Sequence, residues 1–282
     1  MIFLIVDNNT LIFNKNHMLR ISIKKEDVLF DLTGKVAIVT GGNGGIGKGI
    51  ALGLAKQGSD VAIVARNKEK SESACKEIQN LGVKAEAIIC DVTDRYSVNN
   101  AVKQTSNLFG KIDILVNNAG MNIRTEEPQE LTTEQWDQVI RTNLSSMHYM
   151  SSEVFPYFKS QQSGKIINIG SMTSIFGSPY ASAYAASKGG VVQYTKSCAL
   201  GWAIYNIQVN AILPGYIVTE MTKGFLQKYP EKEKIITDRT AAGRWGVPKD
   251  FEGTAVFLSS SASDFVTGTF IPVDGGYSVA LN

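Results

Sequence analysis

The sequence predicts a single α/β domain built on a doubly wound parallel sheet of about seven strands, with helices on both faces. Three observations predict it: short runs rich in valine and isoleucine, amphipathic stretches between them, and a glycine-rich segment directly after the first run. The chain has 282 residues, 44% of them hydrophobic and 19% charged, which is enough apolar material for a sizeable core.

Seven apolar runs of strand length follow one another along the chain. Most of them lack the alternation of a half-exposed strand, which is typical of parallel strands buried on both faces. We expect the last run to be an edge strand, because Pro272 has no N–H to donate. The runs cover residues 35–40, 61–65, 85–90, 113–117, 165–170, 207–213 and 269–273.

Helical spacing of apolar residues fills the intervals between these runs. It predicts one long helix over Glu134–Phe158 and another over Ala183–Tyr205. The charged stretch 215–246 follows a strand and is predicted to form a lid or substrate loop at the carboxyl edge of the sheet. An exposed helical pair with solvated charges is the alternative, and both can hold together.

Residues 1–28 lie outside this pattern, and we expect them to form a poorly ordered extension of the domain 29–282. The apolar start MIFLIV is too short for the hydrophobic part of a signal peptide. No apolar run approaches the ~20 residues needed to cross a membrane, so we expect no membrane association. One hypothesis is that translation begins near Val28.

Charge and composition argue against several classes of function. The net charge of +2 gives no reason to expect nucleic acid or an anionic membrane as a partner. Cys75, Cys90 and Cys198 have no paired spacing, which indicates buried free thiols and a reducing compartment such as the cytoplasm. Two histidines, His17 and His148, are too few for most metal sites or for a histidine-based triad.

A glycine-rich loop joins the first strand to the first helix in the segment TGGNGGIGKGIA, which starts at Thr40. Gly41 lets the chain turn sharply, Gly45 lets the backbone approach a pyrophosphate, and Gly47 lets the helix pack closely on the strand. The helix N-terminus near Gly45 presents N–H groups and a positive dipole to an anion. Between a buried strand and a helix, this loop predicts a dinucleotide site, with a mere tight turn as the alternative.

The end of the second strand favours NADP(H) over NAD(H). NAD sites usually place a carboxylate there for the ribose hydroxyls. This strand ends in Ala65-Arg66-Asn67, without an acid. The Arg66 guanidinium would attract a 2′-phosphate that a carboxylate would repel, although it could also be a surface arginine in a turn.

Several motifs in order make the chain resemble a short-chain dehydrogenase/reductase over nearly all of Asp31–Tyr277. The resemblance implies a Rossmann-type fold and an NAD(P)-dependent oxidoreductase that interconverts a secondary alcohol and a ketone. Together the motifs are highly specific, whereas no single one is. They are TGGNGGIG at Thr40, DV at Asp91, NNAG at Asn117, Asn143, Ser171, YAASK from Tyr184 to Lys188, and PGYIVT from Pro214.

The chemistry also follows from the residues themselves. Tyr184 and Lys188 are four apart in a helical stretch, so they share a face. A nearby ammonium lowers the pKa of a phenol, and Tyr184 can then exchange a proton with the substrate oxygen as hydride moves. Ser171, just after a buried strand, can hold that oxygen. Taken alone, such a pair is more often a core ring and a surface lysine.

The resemblance implies roles for further residues. Asn143 matches an asparagine that supports a water chain to the lysine, which is compatible with a polar residue at a helix kink. Asp91 and Val92 match the pair that flanks the adenine, and Lys188 matches a lysine that also binds the nicotinamide ribose. The other positions that it assigns to cofactor binding are Asn43, Gly44, Ile46, Asn67, Asn118, Ile217 and Thr219.

The substrate is suggested by two segments, GMNIR at Gly120 and RTAAGRWG at Arg239. They are similar to the gluconate 5-dehydrogenase and 2-deoxygluconate 3-dehydrogenase branch, which implies a small sugar-acid substrate. Arg124 is then a candidate for binding the substrate carboxylate, and fixing a loop is the alternative.

Two other functions remain open. A 3-oxoacyl carrier-protein reductase shares every catalytic motif, and it predicts a basic patch to which Lys223 and Lys228 would contribute, against their acidic neighbours. A cofactor-binding regulator without turnover would be expected to lack Tyr184 or Lys188. The resemblance also implies a homotetramer.

Overall fold

The computed structural model describes residues 5–7, 10–12, 21–22 and 29–280 of the chain. The first three segments are the strands β1 (Ile5–Asp7), β2 (Thr10–Ile12) and β3 (Ile21–Ser22), which pair antiparallel in that order. The rest of residues 1–28 lies outside the described residues, so the expected poor order of this extension stays a prediction.

The main sheet has seven strands in the order β6-β5-β4-β7-β8-β9-β10, and every pairing is parallel. All seven predicted runs are confirmed to within one residue at each end, and β10 with Pro272 forms an edge. The strands are β4 (Val36–Thr40), β5 (Asp60–Ala65), β6 (Ala85–Ile89), β7 (Ile114–Asn117), β8 (Gly164–Ile169), β9 (Ile207–Pro214) and β10 (Phe270–Val273).

Nine helices accompany the sheet in the described part of the chain. One face packs against α1, α2 and α9, and the other against α3, α5 and α6, which confirms the doubly wound arrangement. The helices are α1 (Gly45–Lys56), α2 (Lys68–Gln79), α3 (Arg95–Phe109), α4 (Thr133–Ile140), α5 (Ser146–Gln161), α6 (Ser182–Trp202), α7 (Glu220–Lys228), α8 (Glu231–Arg239) and α9 (Glu252–Ser259).

The predicted long helix over 134–158 is confirmed, because residues 133–161 are helical without a break, but the sequence did not predict the π-helical turn inside it. This turn, Arg141–Ser145, lies between α4 and α5. An extra residue in one helical turn displaces the chain locally, a device found frequently at functional sites. Here the turn contains Asn143, which is 1% exposed and directed inward.

The segment 215–246 contains the predicted exposed helical pair, α7 and α8. Its base is closed by a bridge between Ile217 and Gly246. Its lysines are paired along the surface, with Lys223 contacting Glu220 at 2.6 Å and Lys234 contacting Asp238 at 2.6 Å.

Two simpler expectations can also be compared with the structure. The three cysteines are free and buried, as predicted. Within the described ranges, no helix combines the length and the apolar character needed to cross a membrane.

Candidate active site

The carboxyl ends of four adjacent strands bring the predicted motifs to one edge of the sheet. The glycine-rich loop follows β4, the NNAG segment spans the end of β7, Ser171 follows β8, and the PGYIVT segment follows β9. Because these strands are parallel neighbours, residues far apart in sequence meet here, as is general for open α/β sheets.

Tyr184 and Lys188 lie on the same face of α6, as predicted. The Lys188 Nζ is 5.6 Å from the centre of the Tyr184 ring. Lys188 is only 4% exposed, and its Nζ donates to the carbonyl oxygen of Ile169 at 2.7 Å. The Ser174 hydroxyl donates to the Lys188 carbonyl oxygen at 2.7 Å. The lysine is therefore tied to the segment that ends β8.

Burial controls the acidity of this pair. It raises the pKa of Tyr184, and interaction with the Ser171 hydroxyl opposes the rise. Burial also lowers the pKa of Lys188 from 10.5 to about 8. The Tyr184 pKa is therefore raised overall, because loss of solvation disfavours the phenolate, and its lowering by the Lys188 ammonium stays a prediction.

Ser171 is held by the short turn that follows β8. Its backbone N–H donates to the Ser174 hydroxyl at 3.1 Å, and its own hydroxyl oxygen accepts from the Thr173 N–H at 3.2 Å. This reciprocal capping fixes the side chain beside the Tyr184 phenol.

Asn143 connects the π-helical segment to the NNAG loop. Its Oδ1 accepts from the Met121 N–H at 2.8 Å, and its Nδ2 donates to the Met121 carbonyl at 2.9 Å. The same Nδ2 lies 3.0 Å from the Ser187 hydroxyl oxygen on α6. A side chain added to Gly120 would stand between Asn143 and Lys188, with its Cβ 3.3 Å from Oδ1 and 3.6 Å from Nζ.

The glycine-rich loop forms a cradle of backbone. Gly41 and Gly45 have φ angles of +62° and +51°, which glycine adopts most readily. A Cβ on Gly47 would lie 2.5 Å from the Gly41 carbonyl oxygen, so only glycine allows this close approach. Gly44 begins α1 without a side-chain cap, and a Cβ on it would meet no atom within 4 Å. The first turn of α1, including Ile46, thus suits the diphosphate of a dinucleotide.

Asn118 and Thr40 hold this cradle in place. Asn118 Nδ2 donates to the carbonyl oxygens of Thr40 and Gly41 at 3.0 and 3.2 Å. The Thr40 hydroxyl accepts from the N–H groups of Asn118 and Ala119 at 2.9 and 3.0 Å. Thr40 was not predicted as a site residue, although it is the first letter of the loop motif.

At the far end of the cradle, Arg66 is exposed beyond β5. The side-chain oxygen of Asn67 accepts from the Lys70 N–H and thereby caps α2. The Nδ2 of Asn43 lies 3.1 Å from the Ser71 hydroxyl oxygen. These two side chains therefore shape the loop, and Arg66 is an exposed cation beside them.

Asp91 and Val92 follow β6. The Asp91 pKa is lowered, chiefly by the hydrogen bond from the Thr93 N–H, with a smaller contribution from the charge of Arg66. Val92 is buried. The pair thus offers a fixed carboxylate and an apolar surface on the Arg66 side of the sheet edge.

The PGYIVT segment meets the cradle from the other side. Ile217 is 4% exposed, and its carbonyl accepts from the Thr222 hydroxyl at 2.7 Å. A Cβ on Gly45 would lie 3.3 Å from Thr219 Cγ2. Tyr216, which sequence reasoning missed, stacks edge-on against Tyr277 at 5.1 Å between ring centres.

Arg124 is exposed and lies across two aromatic rings. Its guanidinium is 4.7 Å from the centre of Phe225 on α7 and 6.0 Å from that of Tyr180. Nearby, the Tyr229 hydroxyl donates to Glu126 at 3.1 Å. The loop that carries Arg124 is therefore in contact with the helical pair α7–α8.

The family model described as short chain dehydrogenase matches residues 35–230. The chain belongs to the short-chain dehydrogenase family. This confirms the resemblance seen in the motifs and makes the protein an oxidoreductase that acts on CH–OH groups with a nicotinamide cofactor.

Relatives within this family cover almost the whole domain. The chain is 43% identical to the 2-dehydro-3-deoxy-D-gluconate 5-dehydrogenase of Dickeya dadantii, over 88% of this chain and 97% of that enzyme. It is 39% identical to the 3-oxoacyl acyl-carrier-protein reductase of Thermotoga maritima, over 87% and 98%. The chain also resembles the crystal structure of a gluconate 5-dehydrogenase from Burkholderia cenocepacia in complex with NADP and tartrate, with a TM-score of 0.85. The two sequences are 37% identical, and the match covers 89% of this chain and 98% of that one.

Proposed function

We propose that this short-chain dehydrogenase interconverts a secondary alcohol and a ketone on an open-chain sugar acid, with NADP(H) as cofactor. The observation that carries the proposal is the convergence of Tyr184, Lys188, Ser171 and Asn143 beside the glycine cradle. Sugar-acid chemistry is supported by the names of the Dickeya and Burkholderia relatives.

Tyr184 is the acid and base of the proposed reaction. Because burial raises its pKa, the phenol is protonated at neutral pH and can donate to a ketone oxygen. Alcohol oxidation requires the phenolate. With its pKa at about 8, most of Lys188 is charged at neutral pH, and its ammonium favours that phenolate. A bound nicotinamide supplies or accepts the hydride.

Ser171 and Asn143 position these groups. The fixed Ser171 hydroxyl holds the reacting oxygen against Tyr184. Asn143, bonded to Met121 and Ser187, keeps the NNAG loop on α6 and supports a proton path from Lys188 towards solvent.

The cofactor is held along the cradle. Gly41, Gly45 and Gly47 leave room for the diphosphate, and Asp91 and Val92 border the adenine. Ile217 and Thr219 contact the carboxamide. Arg66 binds the 2′-phosphate, which the lack of an acid at the end of β5 supports.

Fluorescence titration with NADPH and NADH tests the cofactor proposal. We expect tighter binding of NADPH, and we expect Arg66→Ala to lose that preference while still binding NADH. An unchanged preference in Arg66→Ala would show that another group recognises the phosphate.

The competing function is reduction of a 3-oxoacyl carrier-protein substrate, which is supported by the name of the Thermotoga relative. The predicted basic patch is opposed by the structure, since Lys223 pairs with Glu220 and Lys228 lies 3.5 Å from Glu126. These pairs reduce the positive field that an acidic carrier protein would need.

A substrate panel separates the two functions. NADPH oxidation is followed with 5-ketogluconate, with an acetoacetyl thioester, and with neither, using Tyr184→Phe as the matched inactive control. We expect turnover of the keto acid only. Turnover of the thioester alone would replace the sugar-acid proposal, and turnover of neither would favour the non-catalytic regulator.

We also propose that the enzyme is a cytoplasmic homotetramer without nucleic-acid partners. Large apolar side chains remain exposed on α6 and just beyond it, with Leu200 and Ile204 83% and 77% exposed. Light scattering of the purified chain tests the assembly, and a monomeric mass would contradict it.

A further inference from the structure

Unsatisfied buried polar atoms mark places where a ligand can complete the hydrogen bonding. Among residues 29–280, five buried side-chain atoms have no partner within the chain. Two of them, on Asn117 and Ser259, are on β7 and α9. The other three are Asn122 Oδ1, Thr173 Oγ1 and Arg239 Nε, and each lies on a segment at the carboxyl edge of the sheet.

Arg239 and Arg244 are five residues apart and have opposite environments. Arg244 forms a two-pronged ion pair with Asp250, with distances of 2.7 and 2.8 Å. Arg239 has no ion pair with any residue of the described ranges, and its Nε is buried. The side chain as a whole is half-buried, and a buried N–H without a partner in an unpaired cation is stabilised when an anion joins it.

The Arg239 guanidinium lies at one end of a row of aromatic rings. It lies 4.5 Å from the centre of the Tyr277 ring, which packs at 5.1 Å on Tyr216. Tyr216 also packs at 5.3 Å on Trp245. The Tyr277 ring attracts the cation only weakly, so it orients the guanidinium without neutralising it.

This cluster lies beside the catalytic strand end. Tyr216 is the second residue after β9, whose neighbour β8 leads into Ser171. Tyr277 follows β10 on the other side of β9, where the Gly215 N–H donates to the Val273 carbonyl at 3.1 Å. The Tyr277 ring that contacts the guanidinium thus lies at the same carboxyl edge of the sheet as Ser171.

Tyr216 is a suitable second contact for an anion that binds Arg239. Burial raises the pKa of Tyr216 to about 12, while the charges of Arg124 and Arg239 oppose the rise. Its phenol therefore keeps its proton at neutral pH and can donate to an anion.

We propose that Arg239 binds the carboxylate of the substrate and thereby selects sugar acids over neutral ketones. The inference rests on the proposed sugar-acid function and names the residue that recognises the acid. A guanidinium matches a carboxylate with two parallel hydrogen bonds, whereas a neutral ligand leaves the cation unpaired.

Arg124, the residue suggested by the sequence, is less suited to this role. It is exposed and spans Phe225 and Tyr180, contacts that fix the loop against α7. Arg239, by contrast, has a buried atom without a partner.

The test compares 5-ketogluconate with its neutral amide in NADPH-dependent reduction. Arg239→Met should lower kcat/KM for the acid by about 100-fold and leave the amide nearly unchanged, because only the acid loses a partner. Arg239→Lys should retain part of the acid preference, since it keeps the charge but not the paired donors. Lys234→Met, on the same helix but 81% exposed, is the matched charge control and should change neither substrate.

The outcomes separate the inference from the function on which it rests. If the wild type prefers the acid and Arg239→Met keeps that preference, Arg239 is not the recognising residue, and loss of the preference in Arg124→Met would identify the other arginine. If acid and amide fall together, Arg239 only supports the fold of the loop. If the wild type shows no preference for the acid, the sugar-acid function itself fails. Should Arg239→Met not fold, Arg239→Lys gives the same comparison.

Discussion

Helix α6, which carries Tyr184 and Lys188, and the helical pair α7–α8, which follows β9, are stabilised in different ways. On α6, Ser187 and Lys188 are 0% and 4% exposed and are hydrogen-bonded to neighbouring segments. None of the residues of α7 is buried, and on α8 only Ile236 is.

The proposed chemistry and the proposed substrate specificity therefore depend on different parts of the molecule. Proton transfer needs atoms held within tenths of an ångström, and the buried network around α6 provides that precision. The exposed ion pairs of α7 and α8 contribute little stability, so this segment can change sequence without harming the fold. Substrate choice can change there while the reaction stays the same.

The largest expected effect is on kcat, when Tyr184 on α6 is changed. Tyr184→Phe removes the proton donor while preserving the ring, so kcat should fall by about 10²–10⁴-fold. NADPH binding by fluorescence should remain within a few-fold, which separates loss of chemistry from loss of the site. A variant that reduces ketones at the parent rate would remove Tyr184 from the reaction.

A second prediction uses the pH dependence of stability. Between pH 8 and 10.5 the unfolded lysine still binds a proton that folded Lys188 has released, so the unfolded state binds more protons and stability rises with pH. The displacement of the pKa corresponds to about 3 kcal/mol. Relative to Lys188→Met, the wild type should gain up to that amount across this window in denaturant titrations. A constant difference would show that Lys188 is not poorly solvated.

The glycine cradle gives a third, smaller effect. Gly47→Ala places a Cβ 2.5 Å from the Gly41 carbonyl oxygen, so it should destabilise the protein by about 1–3 kcal/mol and weaken NADPH binding. Gly253→Ala is the matched control, because its Cβ meets nothing within 4 Å on the helix α9. The control should be neutral or slightly stabilising in thermal melts. Equal effects of the two changes would contradict the close approach.

The smallest effect is expected on the helical pair. Lys234→Ala removes an ion pair with Asp238 between side chains that are 81% and 60% exposed. The midpoint of thermal unfolding should move by less than about 2 °C, because solvent screens such pairs. A larger shift would mean that α8 is coupled to the core and would weaken the contrast with α6.

Much of the fold was predictable because it depends on local pattern. The seven strands follow from continuous apolar runs, and the edge position of β10 follows from Pro272. Within the helix over 134–158, the π-helical turn was not predicted, because apolar spacing is almost unchanged by one extra residue in a turn. The π-helical segment is instead explained by the long-range bonds of Asn143 to Met121.

The residues of the candidate site likewise include some that the sequence predicted and one that only the structure revealed. Spacing predicted that Tyr184 and Lys188 share a face, and a motif order predicted Ser171 and Asn143 beside them. Arg239 lay in a segment noted for its resemblance, yet nothing in its sequence distinguishes it from Arg244. Only the position of Asp250 shows that one arginine is paired and the other is not.

By itself, the sequence determined the strands, the glycine loop and the spacing of the tyrosine and lysine, since each follows from periodicity or from what a missing side chain permits. The tertiary structure decided the acidity of the Tyr184–Lys188 pair and the isolation of Arg239. Both depend on solvent exclusion and on charges contributed by distant segments, which exist only once the chain is packed.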